Sequence, residues 1–225
     1  MALFSLDGGQ FLARWLHFLA GVTWIGLLYY FNFVQGSWFK EAEASVKGAA
    51  VQQLVPRALW WFRWGAMFTF LSGVFIIGIK GHQTGSLGVA FETPWGAFIF
   101  TGALLGTLMF LNVWLIIWPN QKIVIADAKG EKNPKAAAAG AKALLASRTN
   151  TLFSIPMLFF MGAASHLNQA VRLNGALLGA VFGIAAVLEG NALFGKLGPL
   201  TSVKGVITCG FVLAAVLYGL VSALG

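Results

Sequence analysis

Arg14 and His17 lie three residues apart inside a run from Phe11 to Gln35 that is otherwise apolar and aromatic, FLARWLHFLAGVTWIGLLYYFNFVQ. A cation and an imidazole are costly to hold in lipid, so such groups mark a site that faces the interior of a helix bundle. On a helix they share a face with Gly21 and Trp24, which add a point of close approach and an aromatic wall. Two more histidines, His82 and His166, complete the set. His17 is six residues into its segment and His166 six residues before Arg172. At about 1.5 Å per residue, both lie roughly 9 Å from one end of the bundle. Two histidines on different helices at one depth suit axial ligation of a b-type haem, one imidazole on each side of the porphyrin. The competing reading is that each imidazole only hydrogen-bonds a carbonyl or a neighbouring helix. His17 and His166 are the expected iron ligands if haem is bound, and His82 belongs to a loop at the rim. Arg14 either holds an anion or a haem propionate as a charge-assisted partner, or extends its guanidinium to the membrane surface.

The elements that must position these groups follow from composition. With 58% hydrophobic and only 10% charged residues in a chain of 225, the sequence is too apolar for an ordinary soluble domain. A bilayer core takes about 20 mostly apolar residues per helix. Segments near 11–35, 58–79, 95–119, 149–168, 174–192 and 203–224 meet that length, which predicts an all-α, polytopic membrane helix bundle of about six spans in one domain over 1–225. The net charge of +8 does not indicate nucleic acid, because the basic residues lie in connections between apolar segments. Lys40, Lys47, Arg57, Lys122, Lys129, Lys132, Lys135, Lys142, Arg148, Lys196 and Lys204 fall on one side; Arg14, Lys80 and Arg172 fall on the other. The positive-inside rule then places both termini outside the cytoplasm. The N-terminus is not expected to be a cleaved signal, since Arg14 and His17 interrupt its apolar core and no small-residue cleavage site follows. Cys209, the sole cysteine, excludes an internal disulfide, a cysteine zinc site and a CxxCH attachment for haem.

Other polar groups have structural readings. Residues 38–57 predict a polar, partly helical connection ended by Pro56, and 123–147 a Lys- and Ala-rich stretch broken by Gly130, Asn133 and Pro134 into two short pieces, the second a solvated helix. Arg63 and Glu189 are both embedded near the same end of their helices and are expected to pair, with proton handling as the alternative. Asn32, Asn112, Asn120, Asn150 and Asn191 lie within or at the ends of helices, where amides bridge neighbours or line a polar pocket. Gly175, Gly179 and Gly183 give one helix a smooth packing face.

Four strings carry a resemblance: WLHFLAGVTWIGLLYYFNFVQ at 15–35, LVPRALWWFRWGAMFTFLSG at 54–73, NVWLIIWPNQKIVIA at 112–126 and SRTNTLFSIPMLFFMGAASH at 147–166. They resemble the membrane domain of the bacterial cytochrome c-coupled urate oxidase, or urate hydroxylase, over roughly the first three-quarters of the chain. The resemblance implies a multi-pass protein of the bacterial inner membrane that oxidises urate to 5-hydroxyisourate and passes electrons to a c-type cytochrome. It also implies a longer family plan, with further helices and often a C-terminal cytochrome c domain. With no CxxCH here, electrons are expected to leave through a separate cytochrome. Positions carried over with the resemblance are His17, Trp24, Asn32, Arg57, Arg63, Asn112, Asn120, Arg148, Asn150 and His166, within the strings, and Arg14, which immediately precedes the first. Of these, Arg14, His17 and His166 are the candidate catalytic residues. The first helix is also similar to that of the membrane protoporphyrinogen oxidase of haem synthesis. The alternative function is a non-catalytic or haem b-carrying subunit of a larger membrane complex.

Overall fold

The computed structural model describes residues 2–225, and among these every regular element is a helix. The chain runs through α1 (Leu6–Tyr29), α2 (Gly36–Glu41), α3 (Ala44–Gln53), α4 (Val55–Thr84), α5 (Leu87–Phe91), α6 (Pro94–Leu111), α7 (Trp118–Ala126), α8 (Ala136–His166), α9 (Gly175–Phe194) and α10 (Val203–Leu224). The joints between α1 and α2 and between α6 and α7 are single π-helical stretches, Tyr30–Gln35 and Asn112–Ile117. Neither joint breaks its rod. Leu6–Glu41 and Pro94–Glu131 are each continuous.

Local chemistry sets the helix ends. Ser5, Ser86, Thr93, Asn174 and Ser202 each accept a hydrogen bond from a backbone N–H in the first turn of the helix that follows. α4 stops at Gly85, whose φ of 89° suits a residue without a Cβ. The 123–147 stretch does turn at Gly130 and Lys132, both at positive φ. Its second piece is not the separate solvated helix expected: it is the first part of α8, and Ala139 and Ala143 are buried.

Five helices are long and apolar enough to cross a membrane: Leu6–Glu41, Val55–Thr84, Pro94–Glu131, α9 and α10. The segment expected near 149–168 belongs to α8, which has the length but not the apolar composition. Its polar residues are inside the protein: Arg148, Thr149, Asn150, Thr151 and Ser154 are all buried. α8 is the central helix, packed against α6, α7 and α10 with lighter contacts to α1 and α9. Since its neighbours shield it from lipid, its polarity carries no penalty as long as the polar atoms are paired.

α1 packs along α4 to form one wall of the bundle. Gly21, expected as a point of close approach, faces Thr69 of α4, but an added Cβ there would be 3.9 Å from its side chain, an ordinary contact. A tighter one occurs at Gly65, where an added Cβ would sit 3.1 Å from the backbone nitrogen of Trp24 and 3.3 Å from the carbonyl oxygen of Ala20. Trp24 fills this crossing and is fully buried. Gly65→Val should therefore separate α1 from α4, at about 1–3 kcal/mol. Denaturant unfolding in micelles checks this, with Gly78→Val, whose Cβ would meet open space, as the near-neutral control.

Candidate functional site

Arg14 and His17 of α1 have different surroundings. Arg14 is exposed and makes no hydrogen bond or ion pair among the described residues. His17 is half-buried on the α1–α4 wall, its ring against Gly73 and its Nδ1 3.1 Å from Ser72 Oγ. Ser72 Oγ gives its single proton to the carbonyls of Phe68 and Thr69. Oγ is therefore the acceptor toward His17, whose Nδ1 carries the proton and whose Nε2 is bare. His166 is exposed at the end of α8, with Nδ1 2.9 Å from the carbonyl oxygen of Gly162, so here too Nδ1 donates and Nε2 is bare. Metal-binding imidazoles are commonly anchored in this way through the second nitrogen. Each ring taken singly thus fits haem iron, although the two share no hydrogen-bonded group. His82 is exposed and lines a groove of about 660 Å³ between the start of α1 and the end of α4.

The polar groups that converge are deeper and centre on α8. Asn112, at the wide turn between α6 and α7, donates through Nδ2 to Asn150 Oδ1 at 2.9 Å and to Glu189 Oε2 of α9 at 3.1 Å. Asn150 Nδ2 in turn donates to the carbonyl oxygen of Met109 at 2.9 Å. Three helices are joined through one pair of amides, and the carboxylate is held by a donor with no cation beside it. Asn32, at the other wide turn, repeats the device: its Nδ2 reaches Leu28 O at 2.9 Å and Ser147 Oγ of α8 at 2.8 Å. Wide turns loosen the regular carbonyl pairing, and here side-chain amides bond the backbone one turn upstream. Tyr29 and Ser154 extend the band, with 2.9 Å between their oxygens.

The expected Arg63–Glu189 pair is absent. Arg63 lies over the ring of Trp118, 3.9 Å from its centroid, while Glu189 faces Asn112. The guanidinium is stabilised by the indole face, so it has no need of a carboxylate one helix further away. Of the other candidates, Arg57 is exposed and donates to the carbonyl of Gln53, and Asn120 bonds Ile116 O within its own helix. Arg148 is 6% exposed, with Nη1 buried and unpaired. The cluster was visible in sequence only as separate amides; its signal is that Asn112 and Asn150 fall on antiparallel neighbours at one depth.

Replacing Asn150 with Leu should cost about 1–3 kcal/mol, because Met109 O and the Asn112 amide both lose a partner. The Asn112→Leu, Asn150→Leu double variant should cost less than the sum of the singles, since both remove one shared bond. Arg63→Leu and Glu189→Leu should instead add to within about 0.5 kcal/mol. Chemical unfolding in mixed micelles measures the four single variants and the two doubles.

Residues 88–193 match the family model described as urate oxidase N-terminal. The matched stretch is just under half the chain and contains the strings at 112–126 and 147–166, while those at 15–35 and 54–73 lie before it. It also takes in nearly all of α9, which lies beyond the four strings. No curated protein and no solved structure matches the chain. By sequence, then, the region from α5 to α9, which holds Asn112, Arg148, Asn150, His166 and Glu189, is similar to the N-terminal part of a urate oxidase.

Proposed function

We propose that this chain is the membrane-embedded part of a urate-oxidising system of the bacterial inner membrane, which hydroxylates urate to 5-hydroxyisourate and releases electrons to a c-type cytochrome. Urate and water give 5-hydroxyisourate, two protons and two electrons, so each turnover reduces two one-electron haem centres of the cytochrome. The observation that carries this reading is a coincidence of sequence and geometry. The stretch similar to urate oxidase is also the stretch that supplies the intramembrane cluster of Asn112, Asn150 and Glu189.

Within that cluster Glu189 is the proton acceptor. A carboxylate inside a membrane span with no cation beside it is a functional group by default. Asn112 fixes its orientation while leaving Oε1 for a substrate proton. Arg14, His17 and His166 lie outside this cluster. Their role is at the end of the bundle where electrons leave, with His17 and His166 as ligands if the system carries a haem b. Such a haem would supply one-electron transfer. α8 is the sixth span, and the excess of basic residues in the loops on one side sets both termini on the other. A cytochrome outside the cytoplasm then meets the end that carries the three histidines.

A second reading has its own support: Arg14 and His166 are exposed and His17 is only half-buried, which suits a structural or haem-carrying subunit. The decisive experiment follows urate loss by the purified full chain with and without a c-type cytochrome, while peroxide is monitored. The expected result is consumption only with the cytochrome, two cytochromes reduced per urate, and a fall of about 10²-fold or more in Glu189→Gln. Sustained consumption with stoichiometric peroxide and no acceptor overturns the electron route. No urate loss under either condition, with a haem b spectrum that His17→Ala and His166→Ala abolish, selects the subunit reading.

A further inference from the structure

A side-chain amide can be turned end for end without changing its shape, so its hydrogen bonds decide which way it lies. Met109 O is a backbone carbonyl oxygen and can only accept, so Asn150 must point Nδ2 at it, over 2.9 Å. Oδ1 of Asn150 is then the atom left for Asn112, which can meet it only with an N–H, also at 2.9 Å. The other N–H of the same Asn112 Nδ2 goes to Glu189 Oε2 at 3.1 Å. The direction of this chain of bonds is set at a backbone atom of α6 and handed on through α8 to the carboxylate of α9.

Neither amide can reverse by itself. Turning Asn150 would press Oδ1 against Met109 O and one NH2 group against another; turning Asn112 would press its Oδ1 against Asn150 Oδ1 and Glu189 Oε2. Either change loses two of the three bonds. Both amides are buried, so water is not at hand to replace the lost partners. Asn112 is fixed from its backbone as well, since its own N–H also reaches Met109 O. The residue is thus tied to one carbonyl twice, directly and through Asn150. With both protons of Asn112 Nδ2 engaged, Glu189 Oε2 is an acceptor for as long as the chain of bonds is intact, and Oε1 is the oxygen left to take a proton.

We propose that Asn150 is a positioning residue for proton transfer at Glu189: acting through Asn112, it keeps a donor on Oε2 and so directs the incoming proton to Oε1. In that step the substrate's bond to hydrogen breaks with its electron pair left on the substrate, and an O–H bond forms at Oε1. A donor held on a carboxyl oxygen favours the ionised form, the form that can receive a proton. Once Asn150 is lost, the Asn112 amide is free to turn and offer Oδ1, an acceptor, which favours the protonated acid instead. The inference rests on the reading of Glu189 as the proton acceptor and deepens it.

The test is infrared spectroscopy of the full chain carrying isotopically labelled glutamate, with the Glu189 bands assigned by their loss in Glu189→Gln. At one fixed, mildly alkaline pH the ratio of acid to carboxylate at Glu189 should rise about fivefold in Asn150→Leu. Asn150→Ala removes the amide without adding bulk and carries the same expectation if leucine is not accommodated. Asn150→Asp should keep the ratio of the unaltered chain, because the introduced acid, while protonated, donates to Met109 O and accepts from Asn112 as the amide does. An unchanged ratio in folded Asn150→Leu or Asn150→Ala overturns the proposal and leaves Asn150 as a structural link between α6 and α8. An equal rise in Asn150→Asp, with the introduced acid still protonated, overturns it too. Where the unaltered chain oxidises urate, Asn150→Leu should lower kcat about tenfold with KM unchanged, and an unaltered kcat counts against the proposal. The infrared comparison needs no turnover, so a chain that leaves urate untouched removes the proposed activity without deciding the role of Asn150.

Discussion

Hydrocarbon offers no hydrogen-bonding partner, and the placement of α8 follows from that constraint. A helix carrying Ser147, Arg148, Thr149, Asn150, Thr151 and Ser154 in consecutive turns cannot face lipid. It can cross a membrane region only if other helices surround it and their side chains close its polar atoms. α6 and α10 do the surrounding, and Asn112, Asn32 and Tyr29 do much of the closing. The more apolar helices are outside because they alone tolerate exposure: Phe18 and Val22 of α1 and Val187 of α9 turn outward at no cost in lipid. The bundle is thus ordered with the polar helix innermost, the reverse of the arrangement in water.

Much of the fold was legible because the governing signals are local. Apolar length marked the long helices, and Ser202 and Asn174 announce the starts of α10 and α9. The close crossing of α1 and α4 lies at Gly65 and not at Gly21, and Trp24, read as an aromatic wall beside His17, fills that crossing. The cytoplasmic-looking stretch after Pro134 was misread because Ala- and Lys-rich sequence is equally good for an isolated helix and for the start of a long one. Propensity does not distinguish the two; the burial of Ala139 and Ala143 by tertiary packing does.

The site was harder to read for a related reason. Arg14, His17 and His166 stand out in sequence because ionisable groups are rare in apolar runs, yet rarity does not measure convergence. Asparagines are common enough to be passed over singly, and Asn112 and Asn150 gain meaning only through the bond between them. The same holds for charge. Arg63 and Glu189 looked like a pair because both are embedded, but Trp118 offers an aromatic face directly to the guanidinium, and a face in contact outweighs a carboxylate out of reach.

The helical rod from Pro94 runs through the turn at Asn112–Ile117 almost to Gly130, where the chain turns. At about 1.5 Å per residue it measures about 55 Å, well beyond a bilayer core of about 30 Å. Its far end must therefore project from the membrane as a rigid arm. The wide turn at Asn112–Ile117 is where that arm meets the rest of the rod. Torque applied to the arm by anything that grips Trp118 to Glu131 passes through this turn before it reaches α6. Asn112 sits at the start of this turn, so its bonds to Asn150 and to the half-buried Glu189 carboxylate lie where the arm joins the rest of the bundle.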